Sequence, residues 1–324
     1  MCSHAVTAMQ FRTTNAPADF ESYIINAIRE TLDAFESSWL DSISIYSDSE
    51  EEHVGHVTWI VQHLLKAGLY LKPEKCEFHH ETVRYLWLLI TPKGISMDEE
   101  KIQTVWNWSR EKKTNNWWPN NFIEVQQFVG FCNCYQQFIL EYSSKAEPPT
   151  RFTKKNERFV LESEQQLVFE TIIAIIITAP ALRHFDYKRD VISETDSSDY
   201  ISAGVLSHWD DQWVLHPEAY FSKKHTPAEC NYHIYDIELM AIIEALEEWR
   251  PECEGAVYLV QLITDHKNLE YFVTKKLLNW KQAQWSEFVT RYNYHLVHRP
   301  GESNGKGNVL TRRPEDLPEG GHED

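Results

Sequence analysis

Basic residues are scarce in this 324-residue chain, in which 31 lysines and arginines stand against 49 aspartates and glutamates, for a formal charge of -18. That balance opposes non-specific binding to a phosphate backbone, because such attraction needs clustered lysines and arginines. Local basic clusters nevertheless occur, among them Arg110/Lys112/Lys113, Arg151/Lys154/Lys155/Arg158 and Arg312/Arg313. A nucleic-acid partner would have to be held by such patches against an unfavourable overall field.

Cysteines and long apolar runs are also few. The six cysteines are scattered, and the start MCSHAVTAMQF lacks a basic segment followed by an apolar one, so we expect no secretory signal. The longest apolar run, IIAIIITAPAL from Ile172, is too short to span a bilayer and predicts a buried helix that ends before Pro180. These features predict an intracellular protein, cytoplasmic or nuclear, with reduced thiols and no membrane partner.

Apolar residues, in contrast, are plentiful enough for a substantial core. They make up 42% of the chain and include 12 tryptophans, and the length allows two compact domains or one large one. Upstream segments read as helices and strands, including one apolar strand over 83–94 and polar breaks at 109–121 and 143–158. From about residue 191 the pattern becomes three strands, a long helix, a strand, helices and a last strand. That order predicts an α/β domain with a mixed sheet.

The long helix predicted over 227–249 carries the most informative residue, Glu238. Thr226 supplies an N-cap and Glu229 a capping-box partner, with proline between them, so we expect the helix to begin there. Apolar residues share the helix face of Glu238, whereas Glu244 is expected to turn outward. A carboxylate among apolar neighbours is costly unless a cation or strong donors meet it.

Two further acids, Asp196 and Asp265, close predicted strands. In a mixed sheet these strand ends can converge on the helix that bears Glu238, and three converging carboxylates suit a pair of hard divalent cations. The alternative is that both aspartates are turn residues and Glu238 is partly exposed. Glu194 shares a strand face with Asp196 and is either a supporting group for the site or a solvated edge acid.

Several segments of the sequence, taken together, resemble motifs of one known family. ETDSSDYISAGVLSH, HPEAYFSKKHTPAECNYHIYDIELMAIIEAL, LITDHKNLEYF and HLVHRPGESNGKGNVLTRRP resemble the ribonuclease H domain of gypsy (Ty3)-type long-terminal-repeat retrotransposons. Upstream, FRTTNAPADF, WLDSISIYS, GLYLKPEKCEFHHETVRYL and VQQFVGFCNCYQQFI resemble the second half of the same polyprotein's reverse transcriptase. The match runs from about Phe11 to Arg313 in one unbroken order.

This resemblance implies an α/β fold class with two enzymatic parts in series. A truncated reverse-transcriptase palm and a helical thumb or connection would be followed by a ribonuclease H-like mixed-sheet α/β domain and an acidic tail. The expected boundaries are 1–95, 96–182, 183–313 and 314–324. Other parts of a retroelement polyprotein are the protein partners that such an arrangement implies.

The resemblance also implies a ribonuclease H site with four ligand positions, at Asp196, Glu238, Asp265 and Asn308. The family usually has aspartate at the last position, and asparagine keeps a carbonyl oxygen but removes one negative charge. We therefore expect two Mg²⁺ ions, for which Mn²⁺ could substitute, with a lower affinity of the site for the second ion. The implied chemistry is two-metal hydrolysis of the RNA strand in an RNA:DNA hybrid.

The polymerase motif of the family departs further from its usual form. The family has Tyr-x-Asp-Asp at a hairpin, where this chain has Trp39-Leu40-Asp41-Ser42, and we expect the family's other polymerase aspartate to be missing upstream of FRTTNAP. Nucleotide transfer needs two metal ions held by those acids, so Asp41 without a second acid at Ser42 predicts no polymerase activity. The alternative to a residual ribonuclease H is a catalytically dead remnant that binds nucleic acid or has a structural role.

Overall fold

A computed structural model of the chain describes residues 14–32, 34–108, 121–140, 142–151, 163–266, 269 and 278–299. Residues 109–120 of the predicted polar break and the ligand position Asn308 lie outside these residues. The chain divides into two compact units. The first extends to Leu86 and includes Ile90–Pro92, and the second takes up Trp87–Leu89 and the chain from Lys93.

Two helices and a hairpin make up most of the first unit: α1 (Ala16–Ala27), β1 (Glu36–Trp39), β2 (Ser42–Ile45) and α2 (Glu50–Lys66). The side chain of Ser49 accepts a hydrogen bond from the Glu52 backbone and so caps the start of α2. Four buried side chains form the core, namely Ile24 on α1, Ile28 directly after it, and Ile60 and Leu64 on α2. The apolar face of each helix is thereby covered by the other.

Three short strands follow: β3 (Val83–Tyr85), β4 (Leu88–Thr91) and β5 (Gly94–Met97), in the sheet order β3-β4-β5. The single strand predicted over this stretch is therefore wrong. Leu86 and Trp87 turn the chain with positive φ angles of 48° and 69°. Such a turn normally carries glycine or asparagine, so an apolar pair at these positions gives no sequence signal for it.

Four helices of the second unit pack around one apolar cluster: α3 (Glu99–Trp108), α4 (Phe122–Asn133), α5 (Tyr142–Arg151) and α6 (Ser163–Thr178). The buried helix predicted before Pro180 is α6, in which Phe169, Ile172 and Ile176 are buried. The polar break predicted at 143–158 is wrong in its first half, because Tyr142 and Ala146 pack on this cluster one helical turn apart. No helix in the described part of the chain combines the length and apolarity needed to cross a bilayer.

A five-stranded mixed sheet forms the rest of the second unit, in the order β10-β9-β6-β7-β8. Its strands are β6 (Val191–Ser197), β7 (Ile201–Trp209), β8 (Leu215–Lys224), β9 (Val260–Thr264) and β10 (Tyr294–His298). The pairs β10–β9 and β9–β6 are parallel, and the other two are antiparallel. The helices packed with it are α7 (Ile234–Glu248), α8 (Arg250–Cys253) and α9 (Trp280–Val289). This is the mixed-sheet α/β domain that the sequence predicts.

The outer edge of the sheet, β8, contacts the helical cluster. The backbone N–H of Ser143 in α5 donates to the Ser222 hydroxyl at 2.6 Å, and the Ser143 hydroxyl donates to the Ser222 carbonyl at 2.7 Å. Tyr220, also on β8, packs against the apolar core of the helices. An edge strand paired in this way does not present a bare row of backbone groups to solvent.

The predicted start of the long helix is wrong by several residues. The capping box forms, with the Thr226 N–H donating to Glu229 at 2.7 Å, but it closes only a short 3₁₀ turn over Glu229–Asn231. Tyr232 and His233 are extended, and α7 begins at Ile234. A capping motif specifies a turn, and the length of the helix that follows depends on tertiary packing.

A matched pair of glycine substitutions tests the close packing of β5. We expect Gly94→Ala to destabilise the second unit by about 2 kcal/mol or more, because its φ is +148° and a Cβ would lie 2.0 Å from the Leu182 carbonyl oxygen. Gly130→Ala, in α4, has nothing within 4 Å of the new Cβ and should stabilise by roughly 0.5–1 kcal/mol. Urea unfolding of both variants measures the difference, and equal effects would contradict the packing.

Candidate metal site at the sheet edge

Three acids from separate elements meet at the end of the two central parallel strands. Asp196 lies near the end of β6, Asp265 directly follows β9, and Glu238 lies on α7, which packs across β6 and β7. One carboxylate oxygen of each lies within 4.8 Å of the others, and no other such group of three ligands occurs among the residues the structure describes. We call Asp196, Glu238 and Asp265 the acid trio.

Burial distinguishes the acid trio from ordinary turn residues. Glu238 is 4% exposed and Asp196 7%, so the partly exposed Glu238 of the alternative interpretation is not what the fold produces. The buried neighbours of Glu238 on α7 include Ile237, Leu239 and Ile242. A carboxylate in such surroundings loses most of its hydration.

The electrostatics of the trio favour a cation. Burial, followed by the charges of Asp196 and Asp265, raises the pKa of Glu238 to about 9, and a hydrogen bond from the Ser197 backbone only partly opposes this. Glu238 Oε2 is buried and has no hydrogen-bond partner among the described groups. Three carboxylates at this spacing cannot all carry their charge at neutral pH without a counter-charge. Their hard oxygen ligands fit Mg²⁺ or Mn²⁺.

Asp265 is held by the strand next to it. The ring Nε2 of His298 hydrogen-bonds the Asp265 carbonyl at 3.0 Å, and the backbone N–H of Arg299 donates to the Thr264 carbonyl at 2.9 Å. Both contacts come from the end of β10. The backbone at Asp265 is thus held in place by the end of β10.

Glu194 is neither solvated nor at an edge. It is 1% exposed, and its Oε1 accepts a hydrogen bond of 2.5 Å from Arg299 Nη1. The solvated interpretation of Glu194 is therefore wrong, and its role as a supporting group for the site stays a prediction. Sequence reasoning missed Arg299 altogether, because the two residues are 105 positions apart and no spacing pattern connects them.

Glu244 corrects another expectation. It does not turn outward but is 7% exposed, and Lys223 Nζ donates to its Oε1 at 2.7 Å. Lys223 lies on β8, so this side of α7 is covered by the sheet as well. The buried charge of Glu244 is balanced by a lysine that is distant in the sequence, so the helical pattern alone cannot reveal the pairing.

The polymerase-type motif lies in the first unit, at the turn between β1 and β2. Trp39 pairs with Ser42 across the hairpin, and Leu40 adopts a positive φ of 54°. Asp41 and Ser42 are both exposed. Asp41 is not part of any group of three ligands in the part of the chain that is described.

Comparison with known families matches both halves of the chain. Residues 6–89 match the reverse transcriptase (RNA-dependent DNA polymerase) family. Residues 161–260 match the RNase H-like domain found in reverse transcriptase. Asp196 and Glu238 fall inside the second match, and Asp41 and Ser42 inside the first.

The similarity to known proteins extends over nearly the whole chain. The Tf2-3 and Tf2-4 transposon polyproteins of Schizosaccharomyces pombe are 33% identical over 306 residues, 94% of this chain, which spans 22% of their length. A foamy viral protease-reverse transcriptase solved with an RNA/DNA hybrid has a TM-score of 0.73 at 17% identity, over 98% of this chain and 42% of that one. Its complex with double-stranded DNA has a TM-score of 0.70 at 17% identity, covering 90% and 60%.

Substitution of Glu238 tests the repulsion within the trio. In the folded, metal-free protein this group titrates near pH 9 instead of 4.5, so its burial costs stability progressively as pH rises between these values. We expect Glu238→Gln, which does not titrate, to be more stable at pH 7 by roughly 1–3 kcal/mol, with a smaller gain at pH 5. Thermal unfolding in EDTA measures this.

The control for that measurement is Glu247→Gln, on the exposed side of the same helix. It should change the unfolding temperature little at either pH. A Glu238→Gln gain that does not depend on pH would show that Glu238 is ionised in the folded state, contrary to the electrostatics above.

Proposed function

Because the chain belongs to the reverse transcriptase and ribonuclease H region of gypsy-type retrotransposon polyproteins, we propose that its acid trio hydrolyses the RNA strand of RNA:DNA hybrids. The observation that carries this proposal is the convergence of Asp196, Glu238 and Asp265 within 4.8 Å. The hybrid bound by the foamy viral relative supports the class of partner, although at 17% identity that likeness extends to the fold alone.

The residues present fit two divalent cations. Asp196, Glu238 and Asp265 would hold them, with Asn308 as the fourth expected ligand. When bound, such ions activate a water molecule for attack on the phosphodiester and stabilise the departing sugar oxygen. The contribution of the chain is to bring three acids from distant positions into one small, largely buried space.

Glu238 has a specific part in this arrangement. Its raised pKa means that it holds a proton at neutral pH in the metal-free protein, so binding of a cation releases that proton. Metal affinity should therefore rise with pH up to about 9. The apolar residues of α7 around Glu238 exclude water from that side of the site.

Recognition of the hybrid would depend on shape and on the 2′-hydroxyl instead of base edges. Because the chain as a whole is strongly acidic, local basic patches would have to contact the phosphates. With asparagine at position 308 the site has one negative charge fewer than the family pattern, so we propose a weakened nuclease. The polymerase centre, with serine at position 42, is proposed to be inactive.

A cleavage assay on a labelled RNA:DNA hybrid tests the nuclease. We expect Mg²⁺- or Mn²⁺-dependent cleavage of the RNA strand that Glu238→Gln abolishes. Asn308→Asp should lower the Mg²⁺ concentration for half-maximal cleavage by about tenfold, since ligand charge sets affinity for such ions. Cleavage that survives Glu238→Gln would come from a contaminant, and hybrid binding without cleavage in both wild type and Asn308→Asp would favour a binding module instead.

Primer extension on an RNA template tests the second part of the proposal. We expect no incorporation of labelled nucleotide with either Mg²⁺ or Mn²⁺, because Ser42 cannot replace the second acid of the motif that holds the ions for nucleotide transfer. Incorporation that disappears in Asp41→Asn would contradict this. An unchanged background in that variant would agree with it.

A further inference from the structure

The acid-bearing ends of β6 and β9 extend beyond their shared hydrogen-bonded ladder. The two parallel strands pair from Val191 opposite Val260 to Glu194 opposite Ile263, and the register ends there. Asp196 and Asp265 each lie two residues further on. Backbone pairing between these strands therefore does not itself fix the separation of the two aspartates.

A side-chain bridge spans this place. The register of β10 against β9 places His298 opposite Thr264, so Arg299 comes next, level with Asp265. Its backbone N–H is bonded to Thr264, while its guanidinium reaches across β9 to Glu194 on β6, at 2.5 Å. One residue thus connects the ends of three strands. We call the Glu194–Arg299 ion pair the strap.

We propose that Arg299 is a positioning residue, which through the strap sets the spacing of Asp196 and Asp265 and thereby the metal affinity of the acid trio. This inference rests on the proposed function. Glu194 and Asp196 share a face of β6 because side chains alternate along a strand. The strap therefore holds β6 two residues before the metal-ligand position Asp196. Arg299 also neutralises Glu194, so the strap adds no net charge beside the trio.

The burial of the two partners is unequal. The side chain of Glu194 is 2% exposed and that of Arg299 38%. Removing the arginine leaves the buried carboxylate of Glu194 without a counter-charge. Removing both charged groups leaves no uncompensated buried charge. The two residues should therefore act as one unit, which a double-mutant cycle can show.

The chain offers a matched control at the opposite end of β6. Arg189 donates to Asp186 at 2.9 Å, to Asp211 at 2.8 Å and to the Trp209 carbonyl at 3.1 Å. It precedes Val191, which pairs with His208 at the end of the sheet remote from Asp196. Arg189→Gln removes the ion pairs of an arginine with more exposed acids, without touching the strap.

The experiment is a titration of the full chain with Mn²⁺ alone, by calorimetry, for wild type, Arg299→Gln, Glu194→Gln, the double variant, Arg299→Lys and Arg189→Gln. We expect each single strap substitution to weaken Mn²⁺ binding about tenfold and the double variant to lose no more than either single one. Arg299→Lys, which keeps the charge, should recover most of the affinity. Arg189→Gln should leave it unchanged.

Additive losses in the double variant, or an equal loss in Arg189→Gln at a similar fall in unfolding temperature, would overturn the proposal. Unchanged Mn²⁺ affinity in both single variants would do the same while leaving the nuclease proposal intact. Conversely, wild type that binds Mn²⁺ but cleaves no hybrid would defeat the proposed function, and the pattern of affinities among the variants would still decide the role of the strap. Hydrogen exchange over 260–266 adds a readout that needs neither metal nor substrate, with faster exchange expected only in the strap variants.

Discussion

Repulsion among three carboxylates is the constraint around which the second unit is organised. Asp196, Glu238 and Asp265 bring oxygens within 4.8 Å of one another, and two of the three residues are almost fully buried. This arrangement makes the free energy of folding less favourable, since burial and the neighbouring charges raise the pKa of Glu238 to about 9. The surrounding sheet and helix must supply enough packing free energy to hold the acids together.

That packing comes from the sheet order. The strands β6 and β9 are adjacent and parallel, so Asp196 and Asp265 lie at the same end of the sheet, and α7 crosses β6 and β7 to place Glu238 there. The apolar residues Leu239, Ile242 and Leu246 anchor α7 against the sheet. Burial of such side chains contributes about 1.5–3 kcal/mol each, which offsets the cost of one unfavourable acid. Metal binding of the kind we propose would turn a local electrostatic cost into a functional site.

The sequence predicted the strands of the mixed sheet and the three acids because those signals are local. A strand that ends in aspartate and a glutamate on an apolar helix face can each be recognised within a few residues. Two features that it could not predict depend on partners far along the chain: Glu244 is buried because Lys223 pairs with it, and Glu194 because Arg299 pairs with it. The start of α7 at Ile234 was also missed, because the capping box closes only a short turn. The hairpin turn at Leu86 and Trp87 carries residues that give no turn signal at all.

The hydrogen bonds between Ser143 and Ser222 have a consequence for how such proteins can evolve. They join a helix that precedes the α/β domain to its outermost strand, and Tyr220 of that strand belongs to the apolar core of the helices. Moving the RNase H-like domain into another polyprotein without its preceding helices would expose both Tyr220 and the flank of β8. Another segment would have to cover that flank, so we expect the helices and the RNase H-like domain to be inherited together.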